Sequence, residues 1–399
     1  MHHRPTRRAA LRTIAATATI PFLPLHTLAQ PAARPEPIPL AAGPLADILT
    51  KALLDSYTAA SNTAPALAAG ILHDRTLSAA AIGQRAKAHP AAVALHDRWH
   101  VGSNTKAMTA TLAARLIEKG RIGWTSTIGE LLPDAFDTNN EHYKQITLWQ
   151  LLTHRSSIPG GIGKRPGTWQ GLWAISMRDD PMRTKRLRAA SLILREPQIG
   201  KPGETYEYSN LGYTIAGVML EQAADVSWEQ LMQEHLAKPL NITTLGFGPP
   251  PSEHNHTPDN PFGHGGPTAR PIPPTELQAD NPQVIGPAGT AHCSITDYLK
   301  FAAVHIHNGA SNDGEPFLAE ASIKHLHTPI GNYAGGWGVG TIADPPGAYF
   351  LSHAGSNTMW FHLARLNPQS NTALVVAANA ADEHTCAKAI AAIGSALPT

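Results

Sequence analysis

Residues 98–122 read RWHVGSNTKAMTATLAARLIEKGRI. An apolar-periodic helix begins inside this stretch, with Ser103 at its N-terminal end and Lys106 three residues on. Positions i and i+3 share a helix face, so the Lys106 amine can reach back to the Ser103 hydroxyl. A serine is a poor nucleophile until a base takes its proton, and a partly desolvated lysine can do so. The helix N-terminus adds free backbone N–H groups and a positive dipole end, which favour a developing anion. The same residues also make an ordinary helix start, because serine is a preferred N-cap and lysine is common in helices. Ser103 is the one serine of the chain with lysine at that spacing, so partners must be sought elsewhere.

Two other stretches offer them. In PGETYEYSNLGYTIAG (202–217), Tyr208-Ser209-Asn210 follows a Pro-Gly turn and precedes a helical run. A tyrosine beside a cationic lysine can have its pKa lowered and act as a general base. Asn210 can donate its amide to a substrate carbonyl; alternatively it is the N-cap and Tyr208 is packing. In LSHAGSNTMWFHLARL (351–366), His353-Ala354-Gly355-Ser356 ends a strand. There Gly355 lets a ligand backbone come close, and the Ser356 N–H can point into a cleft.

The rest of the chain bounds the answer. Its 399 residues suit a large core or two lobes around one cleft. Charged residues are 15% and the formal net charge is +1, without the basic stripe that nucleic-acid binding needs. Residues 1–33 combine a basic start, a short apolar run (TIAATATIPFLPL) and small residues, the pattern of an export signal. Thr6-Arg7-Arg8 gives it a twin-arginine character. Residues 34–43 read as a Pro/Ala linker. With the signal removed, no stable membrane insertion is expected and the location is periplasmic or secreted. Cys293 and Cys386 can pair in an oxidising compartment, but nothing local supports a bridge and they read as buried apolar residues. The His-x-His pairs in VHIHNG and KHLHTP lack the other ligands of a metallohydrolase, so no metal is expected.

Local patterns give the elements. LADILTKALLDSYTAAS is an amphipathic helix, and PALAAGILHD and TLSAAAIGQRA are strands joined by a turn. Thr147–Gln150 and Ser227–Gln230 have capping-box form, and residues 247–274 read as a long Pro/Gly/His loop. GWGVGTIAD, AYFLSHAGSN, MWFHLARLNP and TALVVAANA are strands at meander spacing before a final helix. Strands at both ends with helices between imply an α+β fold: an antiparallel sheet from both termini, flanked by helices, with a mainly helical insertion.

The three motifs, in this order and on these elements, resemble the serine β-lactamase and penicillin-binding protein family in its class C-like branch, where Tyr-x-Asn and His-x-Gly forms occur. ITLWQLLTHRSSIPG, GPAGTAHCSITDYLKFA and YAGGWGVG also look like family segments, and the likeness runs over about residues 44–395. It implies a β-lactamase/transpeptidase-like fold over 44–399, with an α/β lobe (about 44–107 and 285–399) and a helical lobe (about 108–284). It implies a cofactor-free serine hydrolase, expected to be a monomer, working through an acyl-enzyme on a small molecule or a peptidoglycan-derived peptide. By the same resemblance Ser103 is the nucleophile, Lys106 its activator and Tyr208 the proton relay. Asn210 orients the acyl amide, and the N–H groups of Ser103 and Ser356 form the oxyanion hole.

His353-Ala354-Gly355 departs from the commoner Lys-Thr-Gly. A lysine there is charged near neutrality, and Ala354 lacks the hydroxyl that meets a substrate carboxylate. Action on D-amino-acid peptides, as in D-Ala-D-Ala carboxypeptidases, or on small esters is therefore expected ahead of β-lactam hydrolysis. The other alternative is a non-catalytic penicillin- or cell-wall-binding protein. If His353 pairs with a substrate carboxylate, it must do so as an imidazolium.

Overall fold

The apolar runs at 66–83 form the middle of a seven-stranded antiparallel sheet, in a computed structural model that describes residues 37–397 apart from 41, 61–62, 137–139, 161–164, 254–257, 267 and 344. The expected export segment, 1–33, lies outside these residues. In chain order the strands are β1 (Ile38–Pro39), β2 (Ala66–His73), β3 (Thr76–Gly83), β4 (Gly338–Thr341), β5 (Tyr349–Ser356), β6 (Phe361–Asn367) and β7 (Thr372–Ala378). They are ordered β1-β3-β2-β7-β6-β5-β4, so N- and C-terminal strands meet at the β2–β7 pair, with Ala69 opposite Val376. The linker contributes β1, which sits on the sheet edge, where the missing N–H of Pro39 breaks no interior ladder.

Both faces of the sheet are covered, and strand alternation sorts the side chains between them. Leu67, Ala69 and Ile71 face a core shared with the terminal helices α1 (Pro44–Ala60) and α5 (Glu383–Ala396). Ala66, Ala68 and Leu72 face the larger core, which continues into the helical body. Gly70 lets helix α4 (Ile295–Ile306) come close: a methyl at that position would lie 2.6 Å from Ile295 Cγ2.

Helix α2 (Thr105–Glu118) runs through that larger core and is buried nearly all round, as its Ala/Thr/Leu composition permits. Helix α3 (Asn210–Ala224) is buried from Leu211 to Glu221. Both partners of the Thr147–Gln150 capping box are made; at Ser227 only the serine accepts, from the Gln230 N–H. The 247–274 stretch is not wholly loop, because Gly263–Gly265 and Arg270–Ile272 pair as a small hairpin. Cys293 and Cys386 are free and buried.

The two His-x-His pairs do meet, through one histidine of each. His305 Nδ1 is 3.0 Å from His327 Nε2, and the outer nitrogens face Thr111 Oγ1 and the Tyr349 hydroxyl, so all four ring nitrogens are hydrogen-bonded. Burial lowers several histidines, His264 and His327 to about 4 and His353 and His362 to about 3. The unfolded chain protonates them near 6.5, so below that pH it binds more protons than the folded chain, and stability falls as pH drops. The expected result is a melting temperature that declines steadily from pH 6.5 to 4, each unit of lowering contributing at most about 1.4 kcal/mol. Scanning calorimetry checks this; a flat profile would mean that these histidines charge freely in the folded protein.

Candidate active site

Ser103 lies in a single 3₁₀ turn, Gly102–Asn104, that leads into α2. Neither the turn nor the helix has a side-chain cap, so the serine hydroxyl is not spent on capping. The turn depends on Gly102, whose φ is +52° and whose added methyl would come within 2.5 Å of Ser356 N. Gly355 makes the reciprocal contact: a methyl there would sit 2.0 Å from the Val101 carbonyl and 2.8 Å from Ser103 N. The close neighbour that Gly355 admits is thus the chain's own 101–103 backbone rather than a ligand. The two glycines bring the N–H groups of Ser103 and Ser356 side by side. Gly355→Ala is expected to force this junction apart, with a stability loss of about 1–3 kcal/mol from overpacking and loss of ester turnover. Denaturant titration with an activity assay checks it.

Lys106 is fully buried, and its Nζ has three oxygen neighbours: Ser103 Oγ at 3.1 Å, Asn210 Oδ1 at 2.7 Å and the Ala288 carbonyl at 2.7 Å. Burial holds its pKa well below the ordinary lysine value. In the neutral amine the two N–H groups donate to Asn210 and Ala288, which leaves the lone pair facing the Ser103 hydroxyl. Once the amine takes the serine proton, the same three oxygens solvate the ammonium. Asn210 is available for this because Ser209 caps α3, accepting from the Gly212 N–H at 2.8 Å.

Tyr208 lies over the site, its ring centroid 4.8 Å from Lys106 Nζ and its side chain hydrogen-bonded to Ser103. The expected lowering of its pKa does not occur. Burial pushes the phenol well above its ordinary value, outweighing the Ser103 bond, and the adjacent lysine is itself biased to the neutral form. Tyr208 is accordingly a protonated phenol in the resting site.

His353 corrects a second expectation. Its Nδ1–H donates to the Ala354 carbonyl at 2.8 Å, and its Nε2 is 3.1 Å from the Tyr333 hydroxyl. Burial, and then the charge on Lys106, lower its pKa to about 3. It is a neutral imidazole that accepts from Tyr333, not an imidazolium ready for a carboxylate.

Sequence reasoning missed several neighbours. The Ala288 carbonyl and Tyr333 carry no side-chain motif, although both stand in family-like segments. His154, in the LLTH stretch, is buried with its ring 4.3 Å from that of Tyr208 and its Nδ1 accepting from the Ser209 N–H. A cavity of about 670 Å³, lined by Trp173, Met177, Phe247, Leu277 and Asp280 among others, includes none of Ser103, Lys106 and Tyr208, so it is not the place of the chemistry.

A serine with a buried lysine of lowered pKa at its hydroxyl, a phenol beside it and two adjacent N–H groups is the apparatus of acyl transfer. The model of the Beta-lactamase family matches residues 51–395, and the chain belongs to that family of serine hydrolases. Among curated relatives, "Protein flp" of Staphylococcus aureus (strain MW2) is 24% identical over 313 residues; the match covers 76% of this chain but only 56% of that protein. "Penicillin-binding protein 4" of Amycolatopsis lactamdurans is 24% identical over 323 residues, 79% of this chain and 81% of the relative. The fold matches that of a D-stereospecific amidohydrolase from Streptomyces sp. with a TM-score of 0.67 at 18% identity, over 86% of this chain and 98% of that one.

Proposed function

We propose that the protein hydrolyses amides or small esters of D-amino acids through an acyl-enzyme on Ser103. The carrying observation is the three-oxygen cage around Lys106, which leaves one lone pair aimed at Ser103. Ser103 Oγ attacks the acyl carbon as its proton passes to Lys106 Nζ, and the carbonyl electron pair becomes an oxyanion held by the Ser103 and Ser356 N–H groups. As the oxyanion collapses, the bond to the leaving group breaks. Tyr208 gives its proton to that group and recovers one from the Lys106 ammonium. Water then attacks the acyl carbon, giving its proton back through Tyr208 and Lys106, and Ser103 departs as the hydroxyl.

The neutral His353 and the hydroxyl-free Ala354 support acyl donors that need no carboxylate partner on this strand. That favours D-aminoacyl amides and esters over D-Ala-D-Ala peptides and over β-lactams, and the D-stereospecific amidohydrolase with the same fold is consistent with it. A purely cell-wall-binding role leaves the buried, deprotonatable lysine without a purpose. We further propose a periplasmic or secreted location, supported by the signal-like residues 1–33; among the described residues no helix is long and apolar enough to cross a membrane.

The test is intact-mass spectrometry after incubation with a fluorophosphonate, followed by hydrolysis of matched D- and L-alanine nitroanilides, a nitrophenyl ester and a chromogenic cephalosporin. One adduct on Ser103 and preference for the D-nitroanilide or the ester are expected. No adduct, or an adduct on another serine, would end the proposal, and fastest turnover of the cephalosporin would replace its substrate class.

A further inference from the structure

The two backbone segments that supply the oxyanion hole are tied to a single buried carboxylate, Asp280. On one side the Gly102 N–H donates to His100 Nδ1 at 3.1 Å. That nitrogen must present its lone pair, so the ring proton sits on Nε2, which donates to Asp280 Oδ2 at 2.9 Å. On the other side Asn357, the residue after Ser356, donates its Nδ2 to Asp280 Oδ1 at 3.0 Å. Its own Oδ1 is used by the Met359 N–H at 3.2 Å, which fixes which way the amide points. The Asn281 N–H also donates to Asp280 Oδ1, at 2.7 Å. The His100 side chain is 0% exposed and that of Asp280 5% exposed, so both ends of this bond are largely shielded from water.

We propose that Asp280 is a positioning residue for the reaction, holding the Ser103 and Ser356 N–H groups at the spacing the oxyanion requires. This rests on the oxyanion-hole assignment proposed above. Asp280 touches no reacting atom; it acts through His100 on the turn carrying Ser103 and through Asn357 on the strand end carrying Ser356. Only a carboxylate can serve both arms, because every partner is a donor. With asparagine at 280 there is one acceptor oxygen. If it faces His100, the amide nitrogen opposes Asn357 and the Asn281 N–H; if it faces Asn357, it opposes the His100 N–H. Should His100 change tautomer to accept, its Nδ1–H then opposes the Gly102 N–H. One arm is broken in every arrangement, and the two N–H groups lose their common reference.

Loss of one oxyanion donor lowers kcat by about 10²–10³. Asp280→Asn is expected to reduce kcat for the nitrophenyl ester about a hundredfold, at the lower end of that range, with KM within about threefold, since the effect falls on charge that develops only in the transition state. Affinity for a boronic acid, whose tetrahedral adduct on Ser103 places an oxygen in the same hole, falls in parallel. The double variant Asp280→Asn with Asn357→Asp restores the 280–357 contact with donor and acceptor exchanged, leaving the Asn281 N–H opposed, and regains at least tenfold of the loss. Asn357→Ala leaves the Asp280–His100 arm intact and loses about tenfold, which keeps the proposal testable should Asp280→Asn fail to fold by circular dichroism. A folded Asp280→Asn protein with kcat within about threefold of the parent, a loss confined to KM, or no rescue by the exchange overturns the proposal. Fluorophosphonate labelling of the unaltered protein separates the two readings: without a Ser103 adduct there the proposed function fails, whereas with it and an unchanged Asp280→Asn only the positioning role fails.

Discussion

Replacing Lys106 by alanine is expected to lower kcat/KM for an ester by about 10²–10⁴, the usual contribution of a general base. The amine is the group whose lone pair faces the Ser103 hydroxyl, and no second base among its three neighbours can take over: Asn210 and Ala288 offer amide oxygens. Truncation also strips those two oxygens of their donor, at about 1–3 kcal/mol for each buried group left unsatisfied, so circular dichroism should accompany the kinetics. The unaltered protein carries a pH signature of the same residue. Only the neutral amine is a base, so kcat/KM rises with pH through the lysine pKa. Burial has moved that pKa down, so the rise falls below the range of an ordinary lysine. Lys106→Ala should remove this limb along with the rate. A variant that kept near-normal turnover, or a limb that survived the substitution, would show that another group activates Ser103.

Tyr208→Phe is expected to cost about 10²–10³ in kcat for an amide substrate, within the range for removing a general acid. The substitution is clean, because the ring keeps its contact with His154 and its position over Lys106 while the hydroxyl alone is lost. Burial holds the phenol protonated, so its first task is to donate to the leaving group. An amine cannot leave without a proton, whereas a nitrophenolate can. The loss should therefore be much larger for a nitroanilide or simple amide than for a nitrophenyl ester, compared through acylation rates. Equal losses for both substrates would mean that Tyr208 does not supply the leaving-group proton.

Short-range patterns carried much of this protein. Short apolar runs bounded by turn residues marked β2, β3 and β5–β7, capping residues marked the helix starting after Thr147, and the i, i+3 spacing of Ser103 and Lys106 already placed one hydroxyl within reach of one amine. These depend on neighbours a few residues away, and such neighbours are visible in the chain itself. The two-residue strands Trp99–His100 and Gly246–Phe247 are too short to show a period, and they form because Ala291–Cys293 lies between them. Protonation was decided wholly by tertiary structure. Tyr208 sits beside a lysine in the fold as expected, yet it is raised rather than lowered, because burial of the phenol itself disfavours its charged form. His353 stands where the motif puts it but is neutral, since Tyr333 and Ala354 occupy its two nitrogens and its ring is buried. Whether Asn210 caps its helix was settled by Ser209, which takes the cap itself, and the link from Asp280 to Gly102 and Asn357 joins residues 180 and 77 positions apart at its two closing bonds. The charge state of a buried group depends on which groups the fold excludes water from and which donors it brings near, and neither is a property of adjacent residues.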